Sequence, residues 1–410
     1  MSFDLVLRHA RLGEGGDPPI DIGIRDGRIA ALGRNLVCDA PEEQLGGRLV
    51  VPGFVETHVH LDKSCLLGRC DCGKGTLEEA VAAVAGAKRG FTEEDVYARA
   101  ERTLRKSIVQ GTTRMRTHVE ADPRVGLTSV RALTRLKQDY AWAIQMQLCI
   151  FPQEGLLDDP GCEEILIEGL ESGADIIGGA PYMDADSHGQ IARIFALAKS
   201  FNVDIDFHLD FGLDPSHLDA VEVCRLTDLH AWGGRVAIGH VTKFSSVPPA
   251  KFEEIARMLA ASGVAATVLP STDLFLTGRD HEYDVPRGVT PAHRLREFGV
   301  TCSLSTNNVL NPFTPFGDCS LIRMANLYAN IAQVGTPAEL SSCLDMVTSQ
   351  SAKLLKLTDY GIAEGNPADL VVLDTDTPAN AVSELAQPLF GLKAGVRTFT
   401  RPAPTIHRPH

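Results

Sequence analysis

Between residues 54 and 307, short apolar runs alternate eight times with longer amphipathic stretches. The runs fall at 54–60, 114–120, 144–152, 174–181, 203–210, 236–242, 264–270 and 300–307. Segments between them, such as TLEEAVAAVAGAKRG, DVYARAERTLRKSIVQG and HGQIARIFALAKSFN, carry apolar residues at helical spacing. Parallel strands need a crossover connection, and a helix is the usual one. Repeated strand-then-helix units therefore predict an α/β fold, a closed (β/α)8 TIM barrel, over residues 53–357. The flanks read differently. Residues 3–51 are short strands with turn punctuation, and Asp26-Gly27 between two alternating runs marks a hairpin. YGIAEGNPADLVVLD returns to that character near the other end. Residues 1–52 and 358–410 are expected to combine into a small β-sandwich domain beside the barrel.

A TIM barrel displays its chemistry at the C-terminal ends of its strands. His58 and His60 end the first run. In an extended strand they share a face and Val59 turns away. Alone, such a pair is more often a solvent-facing strand than a metal grip, so the other strand ends must decide. His118 lies near the end of the second run, Gln153 follows the third, and His208 and Asp210 end the fifth. His240 ends the sixth, and Asn307 and Asn308 end the eighth. Four or five imidazoles converging on one rim favour a metal site over separate structural histidines.

Composition removes other classes. A net charge of −14 argues against a nucleic-acid surface. No apolar run approaches the ~20 residues of a membrane span, and the start lacks a basic-then-apolar signal pattern. Of ten cysteines only Cys70 and Cys72 are close-set, without a second pair at finger-like spacing. Reduced thiols in a cytoplasmic protein are the expectation. Oligomeric state is not readable, and a homo-oligomer stays open.

The segments VPGFVETHVHLDKS, RTHVEAD, FPQEGLL, GADIIGGAP, VDIDFHLD, GHVT, NPFTPFGD and YGIAEGNPADLVVL resemble the amidohydrolase superfamily, specifically its bacterial cytosine deaminase branch. HLDKS and THVE are also similar to N-isopropylammelide isopropylaminohydrolases. The resemblance spans nearly the whole chain and implies the same barrel and β domain. It implies His58, His60 and His208 as metal ligands, His240 beside the metal-bound water, and Gln153 reading the edge of an amide-containing ring. The implied cofactor is one divalent metal ion, zinc or iron, and the partner is a small heterocyclic substrate.

Two departures stand out. The superfamily's metal-ligating aspartate falls on Asn307, and the deaminase's proton-shuttling glutamate falls on Phe211. Three acids of the last-strand loop stand here as Asn307, Asn308 and Asn311. An asparagine cannot serve as a base, although its carbonyl can be a weak neutral ligand. Proton transfer then falls to Asp210, expected on the face of His208, or to His240. Asp210 can equally hold loop amides, and His118 reads as a supporting residue. Lys63 is a further polar group at the mouth, Asn308 joins the substrate contacts, and Phe211 offers a face for stacking on a ring. The expected activity is hydrolysis of a C–N bond in a small nitrogen heterocycle or cyclic amide other than cytosine. The competing reading is a metal- or ligand-binding homologue that has lost turnover.

Overall fold

Strands Phe54–Val59, Thr112–Glu120, Gln145–Phe151, Ile176–Gly179, Asp204–Leu209, Val236–His240, Val264–Val268 and Cys302–Leu304 lie side by side in chain order, all parallel. The computed structural model describes residues 2–13, 18–70, 73–402 and 404–407, so Asp71 and Cys72 lie outside the described residues. All eight expected strands are present as one parallel sheet curled into a TIM barrel. Asn307 links its two edges. The Asn307 N–H donates to the His58 carbonyl at 2.9 Å, and the Asn307 carbonyl accepts from the His60 N–H at 2.8 Å.

The second strand, TTRMRTHVE, is buried in every residue although it holds two arginines and a glutamate. Such charges survive in an interior only when paired. Arg116 donates to Asp206 of the fifth strand at 2.7 Å, and Arg114 pairs with Asp369. Elsewhere the strands are mostly apolar and pack Ile150, Ile177, Ile205, Phe207 and Ile238 against helices such as Ser187–Phe201 and Pro249–Ser262. Gly178 permits the fourth strand to approach the fifth, since a Cβ there would lie 2.4 Å from the Asp206 carbonyl.

Several ladders stop short of the apolar runs that encode them. The last covers only Cys302–Leu304, because the chain then leaves the sheet through Asn307 at φ 58°. The fifth stops at Leu209 before Asp210 at φ 48°, and the sixth ends in His240 and Val241 at φ 70° and 46°. Left-handed backbone is costly for β-branched valine and persists where surrounding structure fixes it. These bends all lie at the C-terminal rim.

The chain's two ends meet beside the barrel. Leu5–Ala10, Ile20–Arg25, Arg28–Gly33 and Glu42–Gln44 form one four-stranded sheet. The expected hairpin turns through Asp26 and Gly27 at φ 51° and 74°, the paired positive values of a type I′ turn. Val50–Pro52, Leu370–Leu373, Pro388–Lys393 and Val396–Thr400 form the other. Leu7, Ile22, Ile29, Val50, Leu370 and Leu392 fill the space between the sheets, giving the small sandwich. Asp369 ties it to the barrel, accepting from Arg114, from Lys393 Nζ at 2.7 Å and from the Ala394 N–H at 2.8 Å. Asp369→Ala leaves the Arg114 guanidinium short of its main partner, so we expect a loss of about 3 kcal/mol, read as a lower urea midpoint. An unchanged midpoint would show that this junction does not support the fold.

Candidate active site

Three imidazoles meet where the closure bonds lie. His58 Nε2 and His60 Nε2 are each 3.1 Å from His208 Nε2. All three rings are buried. Burial first, then neighbouring imidazoles or Lys63, holds each pKa well below 6.5, so the rings are neutral at pH 7. Neutral imidazoles packed nitrogen against nitrogen cannot all satisfy one another, because each ring has a single N–H. Nitrogens about 2.0–2.1 Å from a tetrahedral ion stand roughly 3.3 Å apart, close to the two spacings at His208, while the imidazoles whose ligand atoms all lie within 4.8 Å of one another are His58, His208 and His240. The buried Asn307 Oδ1 has no hydrogen-bond partner. This donor set fits a divalent ion.

His60, His208 and Asn307 line a narrow cavity together with Lys63, Gln153, Tyr182, Phe211, His240, Thr272, Asn308 and Phe313. The Phe211 ring meets His240 edge-on with centroids 5.2 Å apart. A wider groove lined by Leu274, Phe275, Arg279 and Phe316 lies elsewhere and shares none of these side chains. His118 stacks on His58 at 3.7 Å between centroids, with its Nε2 3.6 Å from Asp206, so it supports the His58 ring.

Asp210 does not reach the cavity. Its carboxylate is fully buried and accepts from the backbone N–H groups of Asp219 and Ala220, at 2.9 and 3.0 Å. Burial pushes its pKa up to about 6, against the pull of those amides. The alternation that placed it beside His208 assumes an extended backbone, and φ of 48° ends that alternation. Its carboxylate fixes a loop.

Lys63 is also placed differently from the expected mouth cation. It is 1% exposed, and its Nζ donates to Glu120 at 2.7 Å and to Gln153 Oε1 at 2.8 Å, 4.3 Å from the Phe313 ring centre. Glu120 in turn accepts from Lys88 Nζ at 2.7 Å, and Lys88 also holds Asp122 and Glu154. Against its burial, Lys63 and Lys88 keep Glu120 down at about 2, an ionised carboxylate. Asn308 Oδ1 accepts from Asn311 Nδ2 at 2.7 Å, while Asn311 Oδ1 accepts from the Phe313 and Thr314 N–H groups. Asn311 therefore shapes its loop.

Asp273 is the residue that the sequence reading missed. It is fully buried in the helix Pro270–Leu276, and its Oδ1 lies 2.6 Å from His240 Nδ1. Burial raises its pKa and His240 opposes that rise. An acid three residues beyond the seventh run, at the rim that carries the histidines, was the available signal. Glu120 and Tyr182 also end or follow barrel runs, whereas Lys88 sits at a helix end and gave no signal.

A TIM barrel whose rim gathers imidazoles, an amide and a histidine–carboxylate pair has the layout of a metallohydrolase. Residues 89–389 match the amidohydrolase family. The N-isopropylammelide isopropyl amidohydrolase of Pseudomonas sp. is 28% identical over 406 residues, 96% of each chain. The pterin deaminase of Rhizobium rhizogenes is 26% identical over 359 residues, 86% of this chain and 81% of that one. The structure of a 5-methylcytosine deaminase from Klebsiella pneumoniae liganded with 5-fluorocytosine superposes with a TM-score of 0.94 at 29% identity, covering 98% of this chain and 99% of that one. This chain belongs to the amidohydrolase family, enzymes that hydrolyse non-peptide C–N bonds.

Because burial already holds the three imidazoles neutral, protons should compete for them only below the ordinary histidine range. Zinc affinity of chelator-stripped protein, measured from pH 8 to 5, is expected to stay nearly flat through about pH 6.5, the ordinary histidine pKa, and to fall only below it. A fall already under way at about pH 6.5 would exclude neutral buried ligands with lowered pKa values.

Proposed function

We propose that this amidohydrolase binds one divalent ion, zinc or iron, through His58, His60 and His208, and removes an amino or alkylamino group from a small planar nitrogen heterocycle. The single observation carrying this reading is the approach of His58 Nε2 and His60 Nε2 to His208 Nε2 beside a cavity lined by His60, His208, Gln153 and the Asp273-bound His240. When bound, the ion supplies Lewis acidity and an acidified water at neutral pH.

The chain's own residues supply orientation and proton transfer. Asp273 accepts the Nδ1–H of His240, which leaves Nε2 as the ring's basic nitrogen. His240 Nε2 takes a proton from the attacking water and returns it to the leaving nitrogen as the C–N bond breaks. The products are a ring carbonyl and an amine or ammonia. Asp210 is removed from this role by its loop amides, and Phe211 has no proton to give.

Ring recognition follows from Lys63. Its ammonium claims the Gln153 oxygen, so Gln153 turns its Nε2 donors toward the ring. A donor edge selects an acceptor on the substrate, namely a ring carbonyl or a deprotonated ring nitrogen. The cavity lining contains no carboxylate among the described residues, while Lys63 is balanced by Glu120. A cation at the imidazoles therefore meets no facing acid, which favours a ring more anionic than cytosine. Phe211 and Tyr182, 6.5 Å apart between centroids, supply aromatic faces for stacking. Asn307 would offer the ion a neutral oxygen.

The competing reading, binding without turnover, draws on Asn307 and Phe211 replacing acids. A panel of amino-substituted oxo-pyrimidines, oxo-triazines and pterins, scored for released ammonia or amine, separates the two. We expect turnover of an anionic or oxo-rich member, with cytosine below about 10⁴ M⁻¹s⁻¹ in kcat/KM. Gln153→Leu should raise KM for that substrate about tenfold or more. Metal and ligand binding without product from any member would favour the non-catalytic reading.

A further inference from the structure

A second group of metal-type ligands lies outside the cavity, where the loops after the fourth and fifth strands meet. His188 stands in the first turn of the helix Ser187–Phe201, while His217 and Asp219 precede the helix Ala220–Leu229. Asp219 Oδ1 is 2.9 Å from His217 Nε2 and 3.6 Å from His188 Nε2. All the ligand atoms lie within 4.8 Å of one another. The two imidazoles stack at 5.4 Å with 29° between planes and are 50% and 59% exposed, whereas the Asp219 side chain is only 4% exposed.

A buried carboxylate under two solvent-reaching imidazoles is a pocket with its anion already fixed. Ser187 Oγ donates to the same Asp219 oxygen at 2.8 Å, which holds it in place, and the Asp219 N–H anchors to Asp210 at 2.9 Å. Two nitrogens and one carboxylate oxygen are the hard-to-borderline donors that zinc accepts, and small rotations of exposed rings bring the spacings to those of a tetrahedral ion. Water would complete the coordination.

We propose that His188, His217 and Asp219 form a zinc site separate from the centre at His58, His60 and His208. The ion joins two loops that otherwise meet through side-chain hydrogen bonds and ring contacts. One loop carries Tyr182 into the substrate cavity, and the other carries Phe211. Zinc at the rim therefore braces the aromatic wall of the cavity from outside without touching substrate.

The test is stoichiometry. Chelator-stripped wild type and His188→Ala/His217→Ala are titrated with Zn²⁺ alone by equilibrium dialysis with elemental analysis. The variant is expected to bind one zinc fewer per chain. Failure of the central site would lower both proteins equally and leave this difference intact. If the alanine pair does not fold, His188→Gln/His217→Gln replaces it. Anomalous scattering from zinc-soaked wild-type crystals should place an ion between the two imidazoles and Asp219. Equal stoichiometry in wild type and variant, or no anomalous peak there, overturns the proposal.

Discussion

The backbone hydrogen bonds between Asn307 and the His58–His60 segment join the barrel's edges and assemble its site together. Asn307 pairs with the carbonyl of His58 and the N–H of His60, so the two imidazoles are fixed relative to the last strand. The same strand-end residue turns its side-chain oxygen into the cavity. His208 arrives from the opposite side because strand order places the fifth strand across the ring from the first. Barrel closure thus fixes the first strand's two histidines against Asn307.

Around this cluster, charge is arranged in a connected and almost wholly buried network. Lys63, Glu120, Lys88, Asp122 and Glu154 are linked by hydrogen bonds through the two ammonium groups, and the chain of contacts ends on the Gln153 amide. Burial, followed by the charge of Glu120, raises Glu154 to about 7. A buried network of this kind contributes little net stability but fixes geometry, because each member left unpaired is costly. What it fixes here is the orientation of the Gln153 amide, whose oxygen accepts from Lys63.

Much of this was legible in the sequence. Barrel strands were readable because eight short runs alternate with helical stretches, and the rim rule then gathered His58, His60, His208, His240 and Gln153. What escaped depends on backbone bends and distant partners. Asp210 looked like a neighbour of His208 until left-handed backbone turned it to the loop amides. Lys63 looked like a mouth cation because Glu120, its partner, is far along the chain. Asp273 follows a short strand and becomes meaningful only once its helix carries it against His240. Three-dimensional pairing, which periodicity does not encode, decides each of these cases.

With Asn307 and Phe211 in place of acids, we propose that the His240–Asp273 pair carries the proton transfer. The most direct test compares kcat and bound metal in wild type and Asp273→Asn with the best substrate found. The amide still occupies the space but can no longer stabilise a protonated His240. We predict kcat lower by about 10² or more, the usual weight of a positioned acid–base group, with metal content and fold unchanged. Wild-type kcat in Asp273→Asn with a full complement of metal would contradict the account.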